Sequence, residues 1–556
     1  MLSTVKTPAD IDLTDRHGGP WRQRAHAALR SGRELSDAIG AALRQSLKLH
    51  VVCGSLLHMK QSEIGWQNSG YNGAVSAGGA EAVEAGMQIL KQGGTAADGA
   101  TATILALTIT DGQQFGAEVP IIVYDAKRKV VETLSGQGGA PRLATAEYFR
   151  RKNYKAMPEG HNVESAAVPG MPDALVTMLA RYGTLSFSRI AEPALQILSR
   201  RREPCHTAFA AALKRLIEAE EAAGPDRQRG LRFVADCFYR GPIAREIDQW
   251  SRKNGGLLRY TDLATHVTRV EEPLSINYRG LTINKCSTWT QGPCLLQTML
   301  LLESHDTKAL QHNSAAYIHL VTEAMKLGLA DRDEYYADPL YADVPIDALL
   351  SRQYAQLRRP LIDLEKASHE FRPGDPVEMK ALSARPNTPS GGGVPAGKTG
   401  IILGSRLQSA NLWPGHPNCI ESGKRPRITL TPTLVMKDNK PVIAISVAGG
   451  DMQDQATIQV PLNMIDFGFD AAKAVRDPRF VTRQHVGSFS QTPSVPASLR
   501  LHRNTASSTI EELQKKGHCV ELIDHAANPS AITFDAETGL LSAAGDPAAY
   551  RHADAF

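Results

Sequence analysis

Gly449 and Gly450 come just after the apolar run Val442–Val447, and no other pair in the sequence has so plain a chemical use. Two glycines after a core strand let backbone N–H groups come close to a ligand. A converging pair of such groups can hold the negative oxygen of an acyl-transfer intermediate. A tight turn or a bulge would use the same two residues. Gly392–Thr399 satisfies G-x-x-x-x-G-K-[ST], the pattern of a phosphate loop. Such a loop must leave a buried strand and open a helix, so that N–H groups meet the phosphates. Here the preceding residues, Ala384–Ser390, are polar and proline-broken, and Gly400-Ile401-Ile402-Leu403-Gly404 beyond it has strand character. The stretch therefore reads as a glycine-rich loop between strands. His319 and Glu323 stand four apart on a long helical stretch, with Asp331, Arg332 and Asp333 beyond. That spacing can present two metal ligands, but it equally makes a helix-surface pair beside a salt-bridge cluster. The second reading is the simpler, so no metal is expected. No G-x-S-x-G elbow is present, and the His, Asp and Ser residues are too scattered to name a triad.

These residues need a scaffold, and composition bounds it. With 556 residues, 42% of them hydrophobic, the chain can bury a large core. Lys plus Arg is 62 against Asp plus Glu 58, which gives no electrostatic case for nucleic acid or an anionic membrane. Cys53, Cys205, Cys237, Cys286, Cys294, Cys419 and Cys519 include no C-x-x-C, so neither a zinc cluster nor a disulfide framework is expected. A reducing compartment, the cytoplasm, fits best. The first residues lack a signal layout, and Leu47–Met59 is too short and interrupted to span a bilayer. Residues 1–65, rich in Arg and His with one amphipathic stretch around Ala25–Leu43, read as a loosely attached extension.

From Tyr71 onward the pattern sharpens. Ala82, Val83, Met87, Ile89 and Leu90 predict a helix stopped by Gly93-Gly94, and a second small-residue helix follows it. PIIVYD and VVETL predict a β-hairpin around the turn Ala126–Lys129. Helices are expected over Pro172–Arg181, Ser188–Arg200, Thr207–Ala222, Pro242–Asn254 and Ser314–Tyr336. The last third turns to short strands: GIIL, ITLTPTLVMKD, KPVIAISVAGG, AITFD and GLLSAAGD, with one helix near Gln455–Phe467. Helices first and strands late point to an α+β fold.

The order of several longer stretches is informative. They are AGMQILKQGGTAAD (85–98), AVPGMPDALV (167–176), RYGTLSFSRIAEPAL (181–195) and NGGLLRYTDL (254–263), then EEPLSINYRG (271–280), TEAMKLGLADRDEYYADP (322–339), GKRPRITLTPTL (423–434) and AGGDMQDQ (448–455). In this order the chain resembles the γ-glutamyltransferase (glutathione hydrolase) family of N-terminal-nucleophile hydrolases, in its divergent amidohydrolase-like branch. The resemblance implies a four-layer αββα sandwich and a precursor that cuts itself, here into a large-subunit-like region (66–385) and a small-subunit-like region (386–556). It implies a threonine nucleophile whose freed α-amine serves as base, a small-molecule amide or peptide as substrate, and no cofactor. Gly449 and Gly450 would be the oxyanion hole.

The sequence also departs from that family. A Thr-Thr-His-like strand opens the family's small subunit, whereas here ALSARP runs directly into Asn387-Thr388-Pro389-Ser390-Gly391. The segment holding the nucleophile strand is missing, which implies an incomplete central sheet. Thr388 and Ser390 are the nearest hydroxyls, and Thr388 is the candidate nucleophile. Substrate contacts transfer to Asn387, to Thr429 of the pair Ile428-Thr429, and to Arg406 near Gln408 and Ser409. Gln137 occupies the place of the family's carboxylate-clamping arginine. A neutral glutamine cannot make that bidentate, charge-assisted contact, which points to acyl amides other than γ-glutamyl. The competing function is a catalytically silent binding or scaffold protein with the same fold.

Overall fold

The computed structural model describes residues 64–111, 114–158, 160, 162–383, 394–395, 401–489 and 491–556. The stretches Ala25–Leu43 and Leu47–Met59, Cys53, and the site candidates Asn387 and Thr388, with Ser390, lie outside the described residues.

An antiparallel seven-stranded sheet runs through the molecule. Its strands lie in the order Gln67–Gly70, Leu541–Gly545, Asn528–Phe534, Lys440–Ala448, Thr433–Lys437, Leu281–Lys285 and Leu274–Tyr278. Thus the first described strand pairs with Leu541–Gly545, from near the other end of the described chain. The central strand Lys440–Ala448 buries Ile443, Ile445 and Val447 on alternate positions, the period-two pattern that commits one face to the core. Those side chains pack with the helices Pro293–Leu302, Ala315–Tyr335 and Met452–Ile465 in one apolar cluster. On the sheet's other side lies the antiparallel pair Ala74–Gly78 and Arg551–Ala555. Ser76 Oγ donates 3.0 Å bonds to Ala544 O in the sheet and to His552 O in the pair, tying the two together.

Helices Ala80–Lys91 and Ala96–Thr110 cover that pair and open a second core. Thr95 and Asp98 form a capping box at the start of the second helix, which explains why it begins there. The second core extends through helices Met171–Tyr182, Phe187–Ser199, Pro204–Ala222, Arg227–Tyr239 and Pro242–Lys253. The hairpin Ile121–Asp125 with Val130–Leu134 forms as the sequence predicts.

Several described helices were not expected from sequence, the two longest being Arg227–Tyr239 and Pro293–Leu302. Arg227–Tyr239 carries three arginines and a glycine, but Asp226 caps it, and Leu231, Val234 and Phe238 form its buried stripe. Pro293–Leu302 is buried on every side, so its apolar run shows no periodicity to distinguish helix from strand. Of the run ITLTPTLVMKD only Thr433–Lys437 is strand, and GIIL shortens to Ile402–Leu403. The helix expected near Gln455–Phe467 starts earlier, at Met452. Val394–Pro395 pairs antiparallel with Ile402–Leu403, so a strand, not a helix, follows the glycine-rich G-K-T stretch. Among the described residues no helix is long and apolar enough to cross a membrane.

Candidate active site

The strand Lys440–Ala448 ends in Gly449-Gly450, and the helix Met452–Ile465 begins two residues later. Gly449 has φ +150° and Gly450 φ +63°, both on the side of the backbone map that side chains disfavour. This sharp strand-to-helix turn aims two successive N–H groups at one point. That point is occupied by a side chain of the chain itself. The Gln453 carboxamide is assigned with its oxygen toward the glycines, because the reverse would set oxygen against oxygen and nitrogen against donors. Its Oε1 then accepts from Gly449 N at 3.1 Å and Gly450 N at 3.2 Å, while Nε2 donates to Thr429 O at 2.6 Å. Thr429 is positioned by its neighbours: Ile428 N donates to Trp289 O and Gln291 N to Ile428 O, lacing 428–429 beside 289–291.

A buried ionic network underlies the turn. Arg332 Nη1 donates to Asp451 Oδ1 at 2.6 Å and to Gln291 Oε1 at 2.7 Å. Its Nη2 reaches Val486 O at 2.8 Å, and its Nε reaches Asp333 Oδ1 at 2.9 Å. Asp451 also accepts from Ser488 N and Oγ. Arg427 joins Asp333 to Ser488, and Gln291 Nε2 donates to Gly450 O at 3.3 Å. Burial pushes the Asp451 carboxyl up, but Arg332, then His485 and Ser488, more than offset that and hold it far below the usual carboxylate range. Three residues further, Asp454 pairs with the fully buried Lys285 at 2.8 Å. These buried pairs fix the turn.

Phe489 links the cradle to Arg406. A side chain on Gly450 would meet the Phe489 ring at 3.3 Å, and the Arg406 guanidinium lies 5.1 Å from the centre of the same ring. Arg406 is also ion-paired to the buried Glu118. Next to Glu118, Val119 N donates to Gly136 O, which precedes Gln137. Gln137 is buried; its Nε2 bonds Gly138 O, and its Oε1 has no partner among the described residues. Gly449, Gly450, Arg406, Thr429 and Gln137 thus belong to one connected region, although Thr429 enters it through its backbone carbonyl. Sequence reasoning missed Gln453, Phe489 and Glu118. A glutamine early in a helix and a phenylalanine in a loop carry no signal until the chain is folded.

His319 and Glu323 correct an expectation: they are 1% and 0% exposed, not a surface pair. With His518 they bring three donor atoms within 4.8 Å of one another. Glu323, however, is already matched by Lys326 at 2.6 Å and Arg372 at 3.0 Å, so a further cation would meet two positive neighbours. The group is an ion-pair cluster joining the Ala315–Tyr335 helix to residues 363–372. His319 Nε2 donates to Asp363 O at 2.7 Å, which leaves Nδ1 to accept from His518 Nε2 at 2.8 Å. Burial, then Lys326 and His319, push His518 down to about 3. Burial also lowers His319.

In the unfolded chain these imidazoles titrate near ~6.5, so between that pH and about 3 the unfolded state binds more protons. Stability is then fully present above ~6.5 and falls as the pH drops toward the folded value. His518→Gln is expected to flatten the slope of denaturation midpoint against pH between 7 and 5. An unchanged slope would contradict the assignment.

The gamma-glutamyltranspeptidase family profile matches in two overlapping stretches, residues 82–221 and 206–556. The chain belongs to this family. It is 28% identical over 507 residues to the glutathione hydrolase-like YwrD proenzyme of Bacillus subtilis (strain 168), spanning 84% of this chain and 95% of that one. Its structure is similar to that of cephalosporin acylase from Bacillus halodurans, with a TM-score of 0.75 and 25% identity over 88% of this chain and 97% of the other. The structure of LmbA2991HD gives a TM-score of 0.79 and 28% identity, covering 88% and 99%. This gamma-glutamyltranspeptidase family member therefore has an α+β fold of the N-terminal-nucleophile hydrolase type. Its relatives include both glutathione hydrolases and acylases, several of them proenzymes.

Proposed function

We propose that this chain is an amidohydrolase or acyltransferase of the γ-glutamyltransferase type, acting on γ-glutamyl or related acyl amides. One observation carries the reading: the Gly449 and Gly450 N–H groups converge on a single carbonyl-type oxygen at 3.1 and 3.2 Å. That is the donor geometry an acyl oxyanion requires. We read the helices, seven-stranded sheet, strand pair and helices as an αββα sandwich whose second sheet has only two strands among the described residues. Regions 66–385 and 386–556 correspond to the large and small subunits, with the cut itself between Asn387 and Thr388.

Thr388 is the nucleophile in this reading. Its hydroxyl attacks the Asn387 carbonyl, the acyl group moves from nitrogen to oxygen, and water hydrolyses the ester. Thr388 then carries a free α-amine with an intrinsic pKa near ~8, able to take the hydroxyl proton near neutrality. The hydroxyl attacks the substrate carbonyl, Gly449 and Gly450 hold the oxyanion, the amine leaves, and water or a second amine resolves the acyl-enzyme. Arg406 is neutralised by Glu118 and Gln137 carries no charge, which favours an acyl group other than an anionic one.

The competing reading, a silent binding protein, draws on the same cradle: its donors are already satisfied by Gln453. A denaturing gel separates the two. The enzyme reading expects Met1–Asn387 and Thr388–Phe556 fragments, a single uncut band for Thr388→Ala, and release of aniline from acyl anilides by the wild type. A full-length band with no turnover establishes the silent protein instead.

A further inference from the structure

The pair Ala74–Gly78 and Arg551–Ala555 lies over Asn528–Phe534 and Leu541–Gly545 of the large sheet and stops there. The large sheet continues beyond it through Lys440–Ala448, its central strand. Ile443, Ile445 and Val447 of that strand turn to the helical core, so Val442, Ala444 and Ser446 turn to the other side. Ala444 and Ser446 are exposed there, and Ile532, the cross-strand partner of Ala444, is only half-buried. A sheet face meant for water carries polar side chains. This one is small and apolar, which suits a second sheet packed about 10 Å above it.

The strand edge beside this floor is unpaired. Phe556 N donates to Gly73 O and Gly79 N to Tyr550 O, so Val75 and Ala77 are the residues bonded across to Arg551–Ala555. The backbone groups of Ala74, Ser76 and Gly78 therefore point the opposite way, where no described residue pairs with them. Gly78 is buried, and Ala74 and Ser76 are half-buried. Backbone groups withdrawn from water in this way are normally paired. The side chains fix the orientation: Ser76 Oγ reaches Ala544 O in the large sheet, while Val75 lies against Gly86 in the helix Ala80–Lys91.

We propose that the gap beside Ala74–Gly78 is a strand-docking groove, which takes an extended segment of another polypeptide as the next strand of the second sheet. Donors and acceptors repeating every second residue along an edge match a second extended backbone, which neither a helix nor a small ligand offers. The docked strand extends the ladder that Arg551–Ala555 already makes on the opposite edge of Ala74–Gly78. Its alternate side chains rest on Val442, Ala444, Ser446 and Ile532, which carry no charge, so those side chains must be small and uncharged. The inference goes beyond the proposed reaction, since nothing in it needs a nucleophile.

Hydrogen exchange of the full chain, followed by mass spectrometry, reads the free edge. The Ala74, Ser76 and Gly78 amides are expected to exchange about tenfold or more faster than those of Val75 and Ala77. The probe is an acetylated, amidated peptide of four Thr-Val repeats between two lysines. It is expected to bind, to slow the Ala74, Ser76 and Gly78 amides, and to raise the melting temperature. Two further peptides carry backbone N-methyl groups on every threonine or on every valine. One set turns its methyl groups to the edge and the other away from it, so one peptide should lose binding and the other keep it. Ser446→Trp fills the groove from an exposed position. It should melt with wild type and bind the probe about tenfold more weakly or worse. Slow exchange at Ala74, Ser76 and Gly78 in the free chain would overturn the proposal, as would a probe that does not bind. Two N-methylated peptides that behave alike would do the same, and that pair decides even if Ser446→Trp does not fold. Undiminished probe binding by a folded Ser446→Trp protein also overturns it. Protection that appears only as the chain dimerises at high concentration would give the edge to a second copy and overturn the groove as proposed.

Discussion

Gly450→Ala is expected to lower anilide turnover by about two to three orders of magnitude, while costing only about 1–2 kcal/mol of stability. The two effects have separate causes. Gly450 sits at φ +63°, a conformation any L-residue other than glycine reaches at a cost of about 1–2 kcal/mol. Its new methyl would lie 3.3 Å from the Phe489 ring, close enough to move the ring by a few tenths of an ångström. Relief of either contact rotates the peptide and re-aims the N–H. Losing one oxyanion donor elsewhere in acyl-transfer chemistry costs about 10²–10³ in turnover. Phe489 also carries the Arg406 guanidinium, so the disturbance reaches the acyl side of the site. Gly468→Ala is the control. It has a similar φ, +68°, and no described residue lies within 4 Å of the added methyl. It should lose comparable stability and keep its turnover. Gly449→Ala should lose both outright, because its methyl would meet Ala527 Cβ at 2.8 Å and Cα at 2.9 Å in a turn where Ala527 itself has φ +58°. Equal turnover in the Gly450 and Gly468 variants would remove the cradle from the chemistry.

How much of this was readable in the residues can be judged position by position. The Val442–Val447 run and the glycines behind it mark a core strand ending in a turn, because both signals are local: period-two burial, then a backbone that side chains would forbid. The hairpin and the capped helices were readable for the same reason. Thr429, Arg406 and Gln137 came only from resemblance; nothing in their own spacing separates them from other polar residues. The cradle's occupant was hidden altogether. Gln453 looks like one more helical glutamine, and its partner Thr429 lies in a different segment, reached only when residues 428–429 are laced beside 289–291. The Arg332–Asp451 pair joins residues 119 apart in sequence, and a charge pattern read along one helix assigns Arg332 to its neighbours Asp331 and Asp333 instead. Half of that assignment holds, since Asp333 is a partner. Long-range polar contacts depend on which faces the core brings together, and that is set by the whole fold.

Arg332→Met should be the most damaging single change away from the glycines, about 3–5 kcal/mol, because it strands charges that cannot reach water. The guanidinium serves Asp451, Asp333, Gln291 and the Val486 carbonyl at once. Asp333 would keep Arg427 at 3.1 Å, but Asp451 would keep only Ser488 and the more distant charges. Arg332→Lys should recover a small part, since a point charge cannot fork to four acceptors. The pH dependence identifies the mechanism. In the wild type the folded Asp451 lies far below its unfolded value of ~3.9, so its stabilisation is complete above that pH and is lost as the pH falls below it. In Arg332→Met the burial that raises the carboxyl is opposed only by His485, Ser488 and Arg427, and the expected net shift is upward, which reverses the sign. The variant should therefore gain stability on acidification from pH 7 toward 5, over a range where Asp451 in the wild type contributes a constant amount. Denaturant midpoints at pH 7 and 5, with His518→Gln in both backgrounds to remove the imidazole contribution, measure this directly. A variant that loses stability on acidification in step with wild type would mean that Arg332 does not hold the Asp451 charge, and that the turn beneath the cradle is fixed by packing alone.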